Sequence, residues 1–191
     1  AEKRGVSPEE VFSAYHDEFL NNWQRLGISF DLFTSTHTDN HVAVVQDMFL
    51  TLQKKGFIYK AIMSQPYCST DSRFLADRYV GGECPHCGFD AAKGDQCDNC
   101  GRTLDPEELL GIKCLLCGDS PVFKDTEHFF FRLTAFGDQI HDWIEPREHW
   151  RPNVRNLSLG FLDGGLQDSA ITRDIGWGVP VPLDGYEGKR I

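Results

Sequence analysis

Seven cysteines, all between positions 68 and 117, are the residues of this chain best equipped for chemistry. Six of them fall into three copies of C-x-x-C-G: CPHCG at 84–88, CDNCG at 97–101 and CLLCG at 114–118. This spacing puts two thiolates on one tight turn, aimed at a single ion. The glycine after the second cysteine allows the positive φ that closes the turn and brings amides toward the sulfurs. Three such knuckles within 35 residues are not an accident of composition. The seventh cysteine, Cys68, sits in QPYCSTDSRF (65–74), where the same spacing ends in a carboxylate, Asp71.

Four ligands close a tetrahedral structural zinc site. Cys84, Cys87, Cys97 and Cys100 make one complete set, with nine residues between the pairs. Cys68, Cys114 and Cys117 remain, and carboxylate oxygen is an accepted zinc ligand. The expected second site is therefore Cys68, Asp71, Cys114 and Cys117, with the first site nested inside the segment that the second closes. Spacing alone leaves other arrangements open. Cys97 and Cys100 can join Cys114 and Cys117, leaving Cys84 and Cys87 to Cys68. His128 or a water can stand in for Asp71. Cys68 can be a plain buried thiol, with Asp71 capping the segment 73–80. His86, inside a knuckle, is expected to point outward.

The role expected of the metal is folding. Residues 64–127 are rich in cysteine, glycine and aspartate and poor in core formers, and bound zinc links such segments with several kcal/mol of free energy. A disulfide scaffold fits less well, because the cysteine count is odd, the cysteines are bunched and the start of the chain lacks a signal-peptide core. The third knuckle has no thioredoxin-like strand–helix context. Phosphate-loop, dinucleotide, zinc-protease and hydrolase-elbow patterns do not occur. His37 and His41, four apart, can share a helix face as ligands; the simpler reading puts them in a loop and a helix start. His128 reads as a hydrogen-bonded structural residue, and Pro106-Glu107-Glu108 as a helix start. Arg173, at a strand end beside a glycine-rich turn, reads most simply as a local pair with Asp174, the alternative being that an arginine so placed meets a phosphate.

The elements that must position these groups alternate between helix and strand. Ser7, Pro8 and Glu10 form a capping box, followed by apolar residues at helical spacing to Leu26 and by Gly27. A strand is expected at 28–33, a helix at 39–55, a strand at 57–63 and a loop-rich insert at 64–127. An aromatic strand follows at 128–133, then helices at 136–144, before Pro146, and at 153–162. A strand leading into a turn is expected at 171–185. This is an α/β pattern. The 191 residues, 40% hydrophobic, suffice for one medium domain with an appendage. A formal charge of −10 argues against a broad nucleic-acid-gripping surface. No apolar run is long enough to span a bilayer, so the expected setting is soluble and intracellular. The chain lacks an initiator methionine and breaks off at GKRI, which reads as an excised piece.

RFLADRYVGGECPHCGFDAAKGDQCDNCGRTLDPEELL (73–110) closely resembles the zinc-bearing connective peptide of the methionyl-tRNA synthetases, in its variety with two knuckles. STHTDNHVAVVQDMFLTLQKKGFIYK (35–60), EHFFFRL (127–133) and ITRDIGWGVPVPLDGYEGK (171–189) resemble the same family, in the same order. The resemblance implies a class I aminoacyl-tRNA synthetase, whose Rossmann-like nucleotide-binding α/β fold is interrupted by a zinc-ribbon-like insert. Residues 1–62 would belong to the first part of that fold, 63–170 to the insert with its knuckles at 64–127, and 171–191 to the return. The family activates methionine with ATP and magnesium and transfers it to tRNA(Met) in the cytoplasm. The resemblance further implies two zinc ions and, for Arg173, approach to the ATP phosphates. The family's His-Ile-Gly-His and Lys-Met-Ser-Lys-Ser signatures, most of its methionine pocket and its anticodon-binding domain lie outside this sequence. The piece alone is therefore expected neither to aminoacylate nor to hold tRNA tightly, and no membrane partner is expected. The rival is a free-standing zinc ribbon that binds RNA or protein.

Overall fold

The computed structural model describes residues 1 and 4–191. They fall into two compact units, 1–44 and 45–191. In the first unit the capping box forms as expected. Glu10 N–H donates to the Ser7 hydroxyl oxygen at 3.1 Å, and Ser7 N–H donates to the Glu10 carboxylate at 2.7 Å. Helix α1 (Pro8–Arg25) follows, with no buried residue. Residues 28–33 are irregular, which corrects the strand expected there. A lone extended segment cannot satisfy its own N–H and C=O groups, and no strand lies beside it among the described residues. Its aromatics cluster locally instead. Phe33 meets the rings of His16 and Phe30 at 4.8 and 5.3 Å.

Helix α2 (Asp39–Lys54) starts where the Thr38 hydroxyl accepts His41 N–H at 3.2 Å, and the boundary between the units falls within it. The second unit is built on a long hairpin. Strand β1 (Ile58–Cys68) pairs antiparallel with β6 (Val122–Phe131), from Ile58 opposite Phe131 to Tyr67 opposite Val122. Both strands run further than expected, each into the stretch read as loop. Cross-strand pairing between the two arms holds residues 64–67 and 122–127 extended despite their polar character. Strands β2 (Arg73–Phe74) and β7 (Ser169–Ala170) flank the pair, in the order β2-β1-β6-β7. Phe49, Ile58, Phe129 and Val181 form the core of this part.

Between the hairpin arms lies a second, three-stranded sheet: β3 (Val80–Glu83) in the centre, β4 (Ala92–Lys93) and β5 (Leu110–Cys114) at its sides. It was expected to be loops without a core. It has a small one, in which Cys68, Cys84, Cys97 and Cys114 pack with Leu75, Val80, Ala92, Leu104 and Leu109. Gly82 shows why β3 is bare: a Cβ there would sit 2.8 Å from the Leu110 carbonyl oxygen. Helices α3 (Gly137–Ile144) and α4 (Pro152–Asp163) match expectation and pack together. Pro106–Glu108 is a single 3-10 turn with its own capping box on Asp105. Residues 171–185 do not form the expected strand. Gly176, Gly178, Pro180 and Pro182 break the ladder, leaving isolated bridges of Arg173 and Pro180 to Arg190.

Candidate metal centres

The three C-x-x-C-G segments fold into the same turn. The first cysteine's carbonyl accepts the glycine N–H at 2.8–2.9 Å, from Gly88, Gly101 and Gly118. The first cysteine's own N–H donates to Phe89, Arg102 or Asp119 O, again at 2.8–2.9 Å. All three glycines have positive φ, between 72° and 90°. Cys68 to Ser72 makes a fourth turn of this kind. Asp71 N–H points to Cys68 Sγ at 3.3 Å, and Ser72, where the others have glycine, has φ 50°. It is the one non-glycine residue with positive φ among the described residues.

The turns meet in the expected pairs. The ligand atoms of Cys84, Cys87, Cys97 and Cys100 lie within 4.8 Å of one another, and so do those of Cys68, Asp71, Cys114 and Cys117. In each knuckle the first ligand is buried and the second more open. Neighbouring sulfurs are 3.4 Å apart between Cys68 and Cys117, 3.9 Å between Cys84 and Cys100, and 3.6 Å between Cys87 and Cys97. These are not disulfide distances, and all seven thiols are free. Zinc–sulfur bonds of about 2.3 Å in a tetrahedron put sulfurs about 3.8 Å apart, close to what is seen. Asp71 Oδ2 lies 3.2 Å from both Cys68 Sγ and Cys114 Sγ, near the roughly 3.6 Å edge of a mixed oxygen–sulfur site. Both donor sets can hold a divalent ion, and their soft thiolates suit zinc.

The electrostatics point the same way. Asn99, whose amide donates to Cys87 Sγ at 3.6 Å, and the backbone at Phe89 bring the Cys87 thiol down to about 6. Cys100 is lowered by a backbone bond at Arg102, yet burial and the neighbouring thiols push it up to about 11. In the second set, hydrogen bonds from the Cys68, Cys114 and Cys117 thiols hold Asp71 below the usual carboxylate range. Burial raises Cys114. Four close acids resist shedding their last protons, and a dication removes that resistance. The turns are also strapped outside the ligands: the Thr70 hydroxyl donates to Asp119 Oδ2 at 2.5 Å, joining both halves of the second set.

Asp71→Ala removes one ligand and should leave the 112–120 loop mobile, with about half the zinc retained per chain. Asp71→Cys should keep the full content. Metal analysis by plasma emission reads both.

The rival arrangements are not formed. His128 is buried and far from duty as a ligand: its Nδ1 is 3.0 Å from Thr172 Oγ1 and its Nε2 3.1 Å from Asp174. His86 is exposed, as expected. His37 lies 3.4 Å from Glu9 and against Phe12, and His41 sits in the first turn of α2; neither joins a metal-holding group among the described residues. Asp174 does not form the local pair with Arg173. It takes Lys189 Nζ at 2.7 Å on Oδ1, and the Thr126 hydroxyl at 2.8 Å on Oδ2 beside His128. No local pattern announces this partly buried network, because its bonds join residues 15 to 63 positions apart.

Burial, and then the Lys189 charge, push His128 down to about 4 from an ordinary 6.5. The unfolded chain thus takes up this proton first on acidification. Its contribution to stability is full above pH 6.5 and is lost as pH falls toward about 4. NMR should find the His128 ring neutral, with its carbon-bound proton shifts flat from neutral pH to about pH 5.

Arg173 is held by its backbone, with N–H to Arg190 O at 2.8 Å and the reverse bond at 2.9 Å. Its Nη1 donates to Ala170 O and Thr172 O, both at 2.9 Å. Nε and Nη2 have no acceptor among the described residues.

Two four-residue donor sets, four of their members in the small second core, mark a mixed α/β domain equipped to hold divalent ions. The sequence profile described as tRNA synthetases class I (M) matches residues 1–191, and the chain belongs to this family. It is 53% identical to the methionine–tRNA ligase of Thermomicrobium roseum over 99% of its own length and 32% of the relative's. It is 53% identical to that of Dehalococcoides mccartyi strain BAV1, over 100% and 34%, and 50% identical to that of Thermoplasma volcanium, over 100% and 35%. The chain thus spans about a third of the length of these relatives. Among solved structures, Mycobacterium tuberculosis methionyl-tRNA synthetase in complex with methionyl-adenylate shares the fold. It has a TM-score of 0.66 and 22% identity, over 100% of this chain and 33% of that one.

Proposed function

We propose that this chain is the metal-braced part of a methionine–tRNA ligase, which activates methionine with ATP and magnesium and attaches it to tRNA(Met). The observation that carries the proposal is the collinear similarity, end to end, to relatives of that name. In this reading residues 1–62 and 171–191 belong to the catalytic nucleotide-binding fold, and 63–170 are the insert beside the mouth of the active site. Cys84, Cys87, Cys97 and Cys100 hold one zinc ion; Cys68, Asp71, Cys114 and Cys117 hold a second. Zinc there has a structural task, since each set is already four-coordinate and offers no open position to a substrate. Arg173 turns its unused guanidinium N–H groups to the ATP phosphates, where bidentate donors stabilise developing charge. The setting is the cytoplasm, where translation takes place, and no described helix is long and apolar enough to cross a membrane.

Extending the polypeptide at both ends tests the reading. Methionine-dependent exchange of pyrophosphate into ATP is expected in the long form and not in residues 1–191 alone. A long form without exchange, or tight RNA binding by the short piece at physiological salt, favours the free-standing zinc ribbon instead. Metal analysis should find two zinc ions per chain; a single ion removes the second site.

A further inference from the structure

We infer that His128 is the positioning residue for Arg173: its imidazole grips the side chains on both sides of that arginine and so fixes the segment from which the guanidinium reaches an anionic phosphate. The inference rests on the Arg173 role proposed above.

The hydrogen bonds have a single consistent direction. Phe129 N–H donates to Thr172 Oγ1 at 3.0 Å. The Thr172 hydroxyl proton is then free to point at His128 Nδ1, 3.0 Å away. That leaves the ring proton on Nε2, facing Asp174 Oδ2 at 3.1 Å. Asp174 accepts as well from Lys189 and from the Thr126 hydroxyl, while Lys189 donates a further bond to Thr126 at 2.9 Å. Each donor in this chain has an acceptor, and the ring is 1% exposed. Thr172, fully buried, and Asp174 are the residues before and after Arg173.

The consequence for Arg173 is geometric. Past β7 its segment leaves the ladder; backbone bonds tie Ile171 N–H to Phe129 O at 2.8 Å and Arg173 to Arg190 in an isolated bridge. Side-chain bonds must supply the missing rigidity, and His128 supplies one on each flank. Thr172 matters twice, since its carbonyl also accepts from Arg173 Nη1 at 2.9 Å. Rotating Thr172 away would move that carbonyl and swing the guanidinium. Misplacing a charge-stabilising group by about 1 Å costs on the order of 100-fold in rate.

The test uses the full-length ligase containing this segment and follows ATP–pyrophosphate exchange. His128→Leu should lower kcat/KM for ATP by about 100-fold and leave KM for methionine near its starting value. Thr172→Val should do the same, while Thr172→Ser, which keeps the hydroxyl, should restore most of the rate. Combined with Arg173→Ala, neither variant should lower the rate further, because groups acting through one another are not additive. Zinc content and circular dichroism check folding, and if His128→Leu fails to fold the Thr172 pair decides. A severe Arg173→Ala with harmless Thr172→Val, or losses that multiply in the double variant, overturns the positioning role alone. A harmless Arg173→Ala overturns the phosphate role of Arg173 and this inference with it.

Discussion

Stripping metal from the zinc-loaded chain with a chelator should erase amide-exchange protection across residues 80–114 and leave the β1–β6 ladder protected. Four of the nine buried residues of the small core are cysteines. Its strands have only four, two and five residues. Without a dication those thiols are small, weakly hydrophobic groups, and burial raises the pKa of one of them, Cys114. The remaining apolar side chains cannot offset the conformational entropy of a segment this long. Structural zinc supplies on the order of 10–16 kcal/mol of apparent free energy in small modules. Cys97→Ser, which breaks the first set at a buried ligand, should reproduce the loss without chelator. Full protection in the metal-free chain would show that the short strands hold by packing alone. Because thiols must lose protons to bind, acid should release the ion and produce the same exchange pattern.

Phe129→Ala should destabilise the larger core by about 3–5 kcal/mol, read as a lower urea midpoint at constant m-value. The ring is 0% exposed. Phe49 and Tyr186 meet it edge-on at 5.0 and 4.8 Å, and Lys60 Nζ lies 5.5 Å from its centre. Removing it opens a cavity that these groups can fill only by breaking other contacts, since Tyr186 is tied to Lys60 and to Glu127 through its hydroxyl. Ile62→Ala is the control. Ile62 is 70% exposed on the neighbouring strand, and its loss should change stability by about 0.5 kcal/mol or less. Equal effects at both sites would mean that Phe129 is not central to the core.

What the sequence disclosed about the fold depended on the range of the physics. Local signals read true. The Ser7–Glu10 box, the C-x-x-C-G turns and the apolar spacing of 39–55 are decided within a few residues, and each appears where expected. The α/β composition was legible for the same reason. Strands failed where a partner had to come from far away. ISFDLF has the composition of a strand but no neighbour to pair with among the described residues, whereas 64–68 and 122–127 look like loop but are strand because each supplies the other's partner. The grouping of the eight side chains into two sets of four was legible because ion coordination counts donors, and seven cysteines leave one position to fill. Asp71 was visible by spacing; the positive φ of Ser72 beside it was not, since serine does not advertise that conformation. Asp174 was misjudged by proximity. Its neighbour in sequence was the simplest partner, but Lys189 and His128 reach it in the folded chain.

The nested knots also bear on how the chain is made. The inner donor set spans 17 residues and the outer one 50, so closing the outer loop costs about 1 kcal/mol more in chain entropy. During synthesis Cys68 and Asp71 emerge first, well before Cys114 and Cys117 exist. A pair of thiolates there would compete for the first zinc ion and draw Cys84 and Cys87 into the wrong partnership. A thiolate beside a harder carboxylate is the weaker claimant for a borderline-soft metal. On the proposed two-ion reading, Asp71 makes the emerging Cys68 turn the weaker claimant, and the inner set is expected to close first.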